Sequence, residues 1–408
     1  MHHLVGGISS AGRALPALDG IPFLAQRAAA HQVWDTNGRA YIDTAMGFGA
    51  AKLGHADPDV LDAVTEALRR APMPSYAHAL EEQAASALAS CTGALDQVIF
   101  VNTGSEAVHL ACRAARAYTG RKLVAKFAAG YDGWYDPVAF GNAASADAEM
   151  PGARPVKDGM TLLRYNDFDD IERLFAQHPD IAAVLLEPML ANAGCVVPAP
   201  GYLERLCKSA HAHGALVILD EVLMGFQVRA GLFSQAFAVD ADLACVGKAI
   251  GSGIPVAAVL GTAEVMRGFE TGNVVRAGTY SGNPPACAAV LATLGKLKRF
   301  DYATHQADGN WLRQALERVF ARNGLALSTS GYGSVFSCWH APRAPRDYSE
   351  ASAWLNPQRS LDLHLALRRR GLLTMPAGYG RIYLSVTHTR AVLEQMLEIF
   401  GEVADAWA

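Results

Sequence analysis

The chain has 408 residues, 51% of them hydrophobic and 18% charged, enough apolar surface to offset the entropy of ordering and to exclude a disordered chain. Its 35 Lys and Arg stand against 39 Asp and Glu, a net charge of −4, so no basic field points to nucleic acid or an anionic membrane. At roughly 100–200 residues per domain the length predicts at least two domains. The start, Met1-His2-His3, lacks the charged and apolar regions of a signal peptide. No uncharged apolar run reaches the roughly 18 residues that span a bilayer. Seven cysteines, at 91, 112, 195, 207, 245, 287 and 338, form no C-x-x-C pair and no zinc-ligand spacing, which favours a reduced, cytoplasmic enzyme without a metal.

In chain order, Val33–Asp35 and Ala40–Asp43 flank Thr36-Asn37-Gly38-Arg39, and Asn-Gly between apolar runs predicts a hairpin. From Asp57 the period turns helical, with Val60, Leu61, Val64, Ala67 and Leu68 on one face. Between Val98 and Gly261 short apolar strands alternate with helices. Val98–Val101, Leu123–Phe127, Ala182–Leu186, Ala215–Leu219 and Leu243–Val246 read as strands apolar on both faces, and Tyr202–His213 as a helix between two of them. Buried strands separated by helices predict a largely parallel sheet covered on both sides. After Phe300 an α+β pattern follows: a helix near Trp311–Phe320 and strands at Ser334–Trp339 and Arg381–Val386. Ala341–Pro345 and Arg346–Gln358 read as surface loop. The expected organisation is an α/β large domain over 56–290, with a smaller α+β domain built from 1–55 and 291–408.

In such sheets ligands bind beyond the carboxyl ends of the strands, and three strand ends carry unusual chemistry. Val98–Val101 runs into Asn102-Thr103-Gly104-Ser105-Glu106-Ala107 and a helix. That turn reads either as a phosphate cradle of free N–H groups and hydroxyls or as an ordinary cap in which Ser105 precedes an acidic first turn. Ala215–Leu219 ends in Asp220-Glu221, read as a structural ion pair or as an acid facing a heterocyclic nitrogen. Lys248 stands between an apolar strand and a glycine-rich turn, with no charge within five residues on either side. It is either a surface lysine or a desolvated amine able to form an imine. Jointly these are the requirements of pyridoxal 5′-phosphate: an anchor for the phosphate, an acid for the ring nitrogen and a lysine for the aldehyde.

Further segments extend the pattern: Val33–Asp43, Leu53-Gly54-His55, Gly130-Tyr131-Asp132-Gly133, Leu219–Val222 with Gly225-Phe226, Gly247-Lys248 and Gly278–Pro284. Together they resemble the class III (subgroup II) pyridoxal-phosphate aminotransferases, nearest the glutamate-1-semialdehyde 2,1-aminomutase branch, over Gly6 to His388. The resemblance implies the aspartate aminotransferase-like fold of type I enzymes and a homodimer with sites shared between subunits. By the same resemblance Lys248 is the lysine that holds the cofactor and Asp220 the acid on its ring nitrogen. Thr103, Gly104 and Ser105 would bind phosphate, and Tyr131 and Val222 would lie on the two ring faces. Thr279 would reach the phosphate of the neighbouring subunit, and Arg13 would meet a substrate carboxylate.

Four departures bear on substrate. Asp132 stands where relatives carry histidine, and Asn192 where ornithine- or GABA-type relatives carry glutamate. Gly380 replaces the acid of the aminomutase branch. Tyr383 occupies the place of a gating arginine, with Arg381 two residues earlier on the same strand face, read as its substitute or as a solvated strand start. The expected activity is transfer of an amino group between an amino-acid donor and a keto or aldehyde acceptor. Arg13 and Arg381 favour a carboxylate, whereas an acidic Asp132 leaves room for a polyamine or amino-sugar acceptor. An aminomutase or epimerase needs the same lysine and acid, and a non-catalytic cofactor-binding module is a third reading.

Overall fold

Eight strands form the central sheet, in the spatial order Gln97–Val101, Ala257–Gly261, Leu243–Val246, Leu216–Asp220, Ile181–Leu186, Leu123–Phe127, Met160–Leu163 and Val156–Lys157. The computed structural model describes residues 3–143, 156–237, 239–376 and 378–408. Four adjacent pairings, from Leu243–Val246 through to Met160–Leu163, are parallel. Ala257–Gly261 runs antiparallel to both of its neighbours and Val156–Lys157 to its one, so the sheet is mixed rather than parallel throughout. Every residue of Leu123–Phe127, Ile181–Leu186, Leu216–Asp220 and Leu243–Val246 is buried, as expected of strands covered by helices on both faces.

The two chain ends meet in a separate four-stranded sheet. The hairpin at Asn37-Gly38 forms as expected: Gly38 takes φ +81° and Asp35 Oδ1 accepts from the Asn37 and Arg39 amides at 2.9 and 3.0 Å. Its strands, Gln32–Asp35 and Ala40–Asp43, are antiparallel, and Leu372–Leu373 from the far end of the chain adds to them in parallel. A separate three-stranded sheet holds Ser328–Tyr332, Val335–Trp339 and Arg381–Tyr383. One apolar cluster joins Ile42 to Leu312, Leu316 and Phe320 of helix Tyr302–Arg322, to Leu363 and Leu367 of Pro357–Arg369, and to Leu393, Met396 and Phe400 of Arg390–Trp407.

The surface loop expected over 346–358 is corrected. Tyr348–Trp354 is a helix with Tyr348 and Ala351 buried in the main core. The Asp347 carboxylate accepts from the Glu350 amide at 2.8 Å, so an acidic cap starts a helix that the polar composition concealed. The last strand is also shorter than expected, ending at Tyr383. Among the described residues no helix is long and apolar enough to cross a membrane.

Candidate active site

Asp220, the last residue of its strand, lies in parallel register with Cys245 on the next strand, and Lys248 follows that second strand directly. Both side chains line one cavity of about 330 Å³ with Thr103, Gly104, Ser105, Tyr131 and Val222. A larger cavity, about 830 Å³ beside Arg164–Asp169 and Asp347–Ser352, contains none of the residues singled out from the sequence.

The turn at the carboxyl end of Gln97–Val101 starts the long helix Gly104–Thr119, and its cap is Thr103 rather than Ser105. Thr103 Oγ1 accepts from the Glu106 amide at 3.2 Å, while Glu106 Oε2 accepts from the amides of Asn102 and Thr103, both at 2.9 Å. This capping box uses the Thr103 hydroxyl and two amides. The next two amides, of Gly104 and Ser105, lie in the first helical turn and have no intrahelical acceptor, which leaves them to an anion at the positive end of the helix dipole. Gly104 is needed for closeness: a Cβ there would lie 2.7 Å from Val222 Cγ1. A Cβ on Gly133 would lie 2.8 Å from Ser105 Oγ, so the Tyr131-Asp132-Gly133 loop is packed directly on this turn.

Asp220 is buried, with Oδ1 accepting from the Val222 amide at 3.0 Å and Oδ2 taking no hydrogen bond from the described residues. Burial, followed by the nearby charges of Asp132 and Glu187, holds its carboxyl well above the ordinary range. Its neighbour Glu221 points to the opposite face, where Oε2 and Oε1 accept from the amides of Phe233 and Ser234 at 2.9 and 2.7 Å; alternation along the strand leaves Asp220 alone facing the cavity. Lys248 has φ +44°, a left-handed conformation costing roughly 1–2 kcal/mol for a side chain with a Cβ. Burial lowers its ammonium to about 8, against the pull of Asp220, and its Nζ has no hydrogen-bonded partner among the described residues. It is not the solvated surface lysine of the alternative reading.

Glu187 was not singled out from the sequence, although it stands at the carboxyl end of Ile181–Leu186 as Asp220 stands at the end of its strand. Its Oε1 accepts from the Tyr131 amide at 2.8 Å and its Oε2 from Asn192 Nδ2 at 3.3 Å. Burial first, then the Asp132 charge, raises it to about 7. Asp132 and Asn192 line the cavity, but the expectation of an acid awaiting a substrate ammonium is corrected: Asp132 is buried, 2.9 Å from the ammonium of Lys126.

Arg13 and Arg381 are not brought to the cavity, and Thr279, expected at a neighbouring subunit's site, lies outside its own. Arg13 ends a short exposed turn, Ala11–Arg13. Thr279 lies in an exposed stretch between Val274 and Ser281. Arg381 is neither solvated nor on the cavity wall: its Nε donates to Tyr383 Oη at 2.8 Å and its Nη1 to the Ala191 carbonyl at 3.2 Å. Its charge nonetheless acts on Glu187 and Lys248.

Pyridoxal phosphate fits this set on the chemistry of its donors and acceptors. The open amides suit a phosphate, Val222 and Tyr131 supply contact surfaces for a ring, the unbonded oxygen of Asp220 suits a protonated nitrogen, and the unpartnered Lys248 amine suits an aldehyde.

The family model for class-III aminotransferases matches residues 16–403. Glutamate-1-semialdehyde 2,1-aminomutase of Chloroflexus aurantiacus is 35% identical over 416 aligned residues, covering 98% of this chain and 93% of the relative. Among solved structures, an omega-transaminase from Sphaerobacter thermophilus superposes with a TM-score of 0.91 at 31% identity, covering 99% of this chain and 94% of the other. A β-phenylalanine aminotransferase from Variovorax paradoxus gives 0.90 at 27% identity, covering 99% and 91%.

Proposed function

The chain belongs to the class III aminotransferases, enzymes of pyridoxal 5′-phosphate with the type I fold, and from this premise we propose that it transfers an amino group from a carboxylate-bearing amine donor to an aldehyde or keto acceptor. The observation that carries the reading is the meeting of Lys248, Asp220 and the open amides of Gly104 and Ser105 in one cavity. When bound, pyridoxal phosphate supplies an aldehyde carbon for the amine and a cationic ring that withdraws electrons from the substrate Cα.

The protein residues set up and steer that chemistry. The Thr103–Ser105 turn binds the phosphate. Asp220 holds a proton at the ring nitrogen by opposing its charge in a site of low dielectric. Tyr131 and Val222 bear on the ring faces. With the cofactor bound, Lys248 would hold its aldehyde, and the Nζ, once exchanged for the donor amine, would be the base placed to take the proton from the substrate Cα and return it on the cofactor side. An amine lowered to about 8 has enough neutral form near pH 7 to act as that base. Asn192, hydrogen-bonded to Glu187, lines the cavity on its substrate side, and the charge of Arg381 acts on Glu187 and Lys248. Arg13, from its exposed turn, is the second candidate for the substrate carboxylate.

Gly380, in place of the acid of the aminomutase branch, supports transamination. Intramolecular amino transfer is the second reading, favoured by the 35% identity to aminomutases. Incubation with a panel of amine donors separates the two. Stoichiometric release of the keto product supports transamination, and a rearranged product formed without an external acceptor supports the second reading. The working unit is proposed to be a homodimer, because Thr279 is exposed and away from its own cavity, available to a partner's. The free thiols of all seven cysteines suit a cytoplasmic setting.

A further inference from the structure

Two lysines outside the assigned site are fully buried, Lys52 and Lys126. Lys52 bonds His305 and the Leu384 carbonyl, away from the cavity lining. Lys126 is different. It sits within Leu123–Phe127, a strand whose five residues are all buried, and its ammonium reaches the loop that walls the cavity.

Lys126 Nζ donates to the carbonyls of Gly130 and Val138 at 3.1 and 2.7 Å and to Asn142 Oδ1 at 2.9 Å, and stands 2.9 Å from the Asp132 carboxylate. The three acceptors and the carboxylate all belong to the segment 130–142, which includes the short helix Asp136–Ala139. An ammonium has three protons, so the three hydrogen bonds use them all and Asp132 adds an opposite charge at contact distance. Burying an ammonium and a carboxylate costs several kcal/mol per ion before their attraction is counted, and apolar residues at both positions would meet no such cost. The charge therefore does something other than stabilise the sheet. It gathers a loop whose outer side is already constrained. The Tyr131 amide is fixed on Glu187, Gly133 is packed on Ser105, and a Cβ on Gly130 would lie 3.1 Å from the Phe127 carbonyl.

We infer that Lys126 is a positioning residue of the cofactor site: its buried ammonium ties the 130–142 loop to the sheet, setting Tyr131 against the ring and Asp132 as a fixed negative charge beside Asp220 and Glu187. The charge of Asp132 raises the proton affinity of both those acids, so Lys126 acts on the electrostatics of the site as well as on its shape. This inference rests on the cofactor assignment of the preceding section.

The test compares Lys126→Met, Asp132→Asn and the double variant with the wild-type chain. Pyridoxal phosphate is titrated into each cofactor-free protein, visible-range circular dichroism of the bound cofactor is recorded, and hydrogen exchange of a peptide covering residues 128–143 is followed. Lys126→Met is expected to weaken cofactor binding roughly 10- to 100-fold, as loss of a supporting residue commonly does. It should also speed exchange of the loop and diminish the visible dichroic band. The double variant, in which no unpaired buried charge remains, should bind better than Lys126→Met, giving a non-additive cycle. Should Lys126→Met fail to fold, Asp132→Asn retains the three neutral acceptors of the ammonium. It should lower the pH at which the visible absorbance changes, since removing an anion disfavours a nearby cation; a purely structural role leaves that midpoint fixed. Wild-type affinity and dichroism in Lys126→Met, strictly additive effects, or an unmoved midpoint in Asp132→Asn would each overturn the inference. Failure of the wild-type chain to bind the cofactor would instead overturn the assignment on which it rests.

Discussion

Asp220 and Lys248 enter one cavity from the carboxyl ends of adjacent parallel strands, the acid aligned with Cys245 three residues before the lysine. The sheet register thus sets the separation of the two side chains, and the role proposed for each can be tested alone.

Replacing Asp220 by Asn retains shape and the capacity to accept from the Val222 amide while removing the charge. The rate is expected to fall by roughly 100-fold or more, the order seen when an electrostatic partner of a developing charge is lost. Cofactor occupancy should fall far less, because the phosphate turn is intact. Steady-state kinetics alongside cofactor content per chain measures both; an unchanged rate contradicts the role given to Asp220.

Gly104→Ala brings a methyl group to 2.7 Å from Val222 Cγ1. Val222 has to yield, and both the phosphate turn and one contact surface for the ring move with it. Titration of the cofactor-free variant should show affinity reduced by about tenfold, with little change in helix content because the Thr103–Glu106 box lies outside the clash. Wild-type affinity would mean that the turn does not carry the phosphate.

Thr279→Ala combined with Lys248→Ala in separate chains tests the shared site. In a mixed dimer one site would hold both changes and the other neither. Mixing the two inactive or weakened proteins is therefore expected to restore activity at limiting cofactor. No gain over the sum of the separate proteins argues that Thr279 serves no neighbouring site.

Much of this arrangement is legible in the residue order. Asp220 and Lys248 each follow a short run of buried apolar residues, a local signal that needs no tertiary information. Glu187 carries the same signal after Ile181–Leu186 and was readable by the same rule. Lys126 was not, because a lysine inside Leu-Val-Ala-Lys-Phe reveals its burial only when Asp132 and Asn142 fold back onto it. The choice of Thr103 over Ser105 as cap depended on the Glu106 side chain reaching back, and both hydroxyls precede acceptable first turns. The helix Tyr348–Trp354 was hidden because its sequence is polar, yet Asp347 and Glu350 had the spacing of a capped start. Arg13 and Arg381 show the limit of alignment. It assigns a charge to a position in the chain but not its distance from the cavity.

A pH effect on stability is expected from Lys52, whose ammonium burial lowers from 10.5 to about 7. Between those values the unfolded chain holds a proton that the folded chain has released, so stability rises with pH across this window. Replacing Lys52 by Met removes the effect. Denaturant midpoints measured from about pH 7 to about pH 9.5 should show the wild type gaining up to roughly 3 kcal/mol relative to Lys52→Met. Parallel pH dependence in the two proteins would show that Lys52 titrates normally.

The most direct measurement is borohydride reduction of the native protein loaded with pyridoxal phosphate, followed by digestion and identification of the labelled peptide. The account predicts a single label on the peptide containing Lys248, and neither label nor turnover in Lys248→Ala. A label on any other lysine, or none on the wild-type chain, would contradict it.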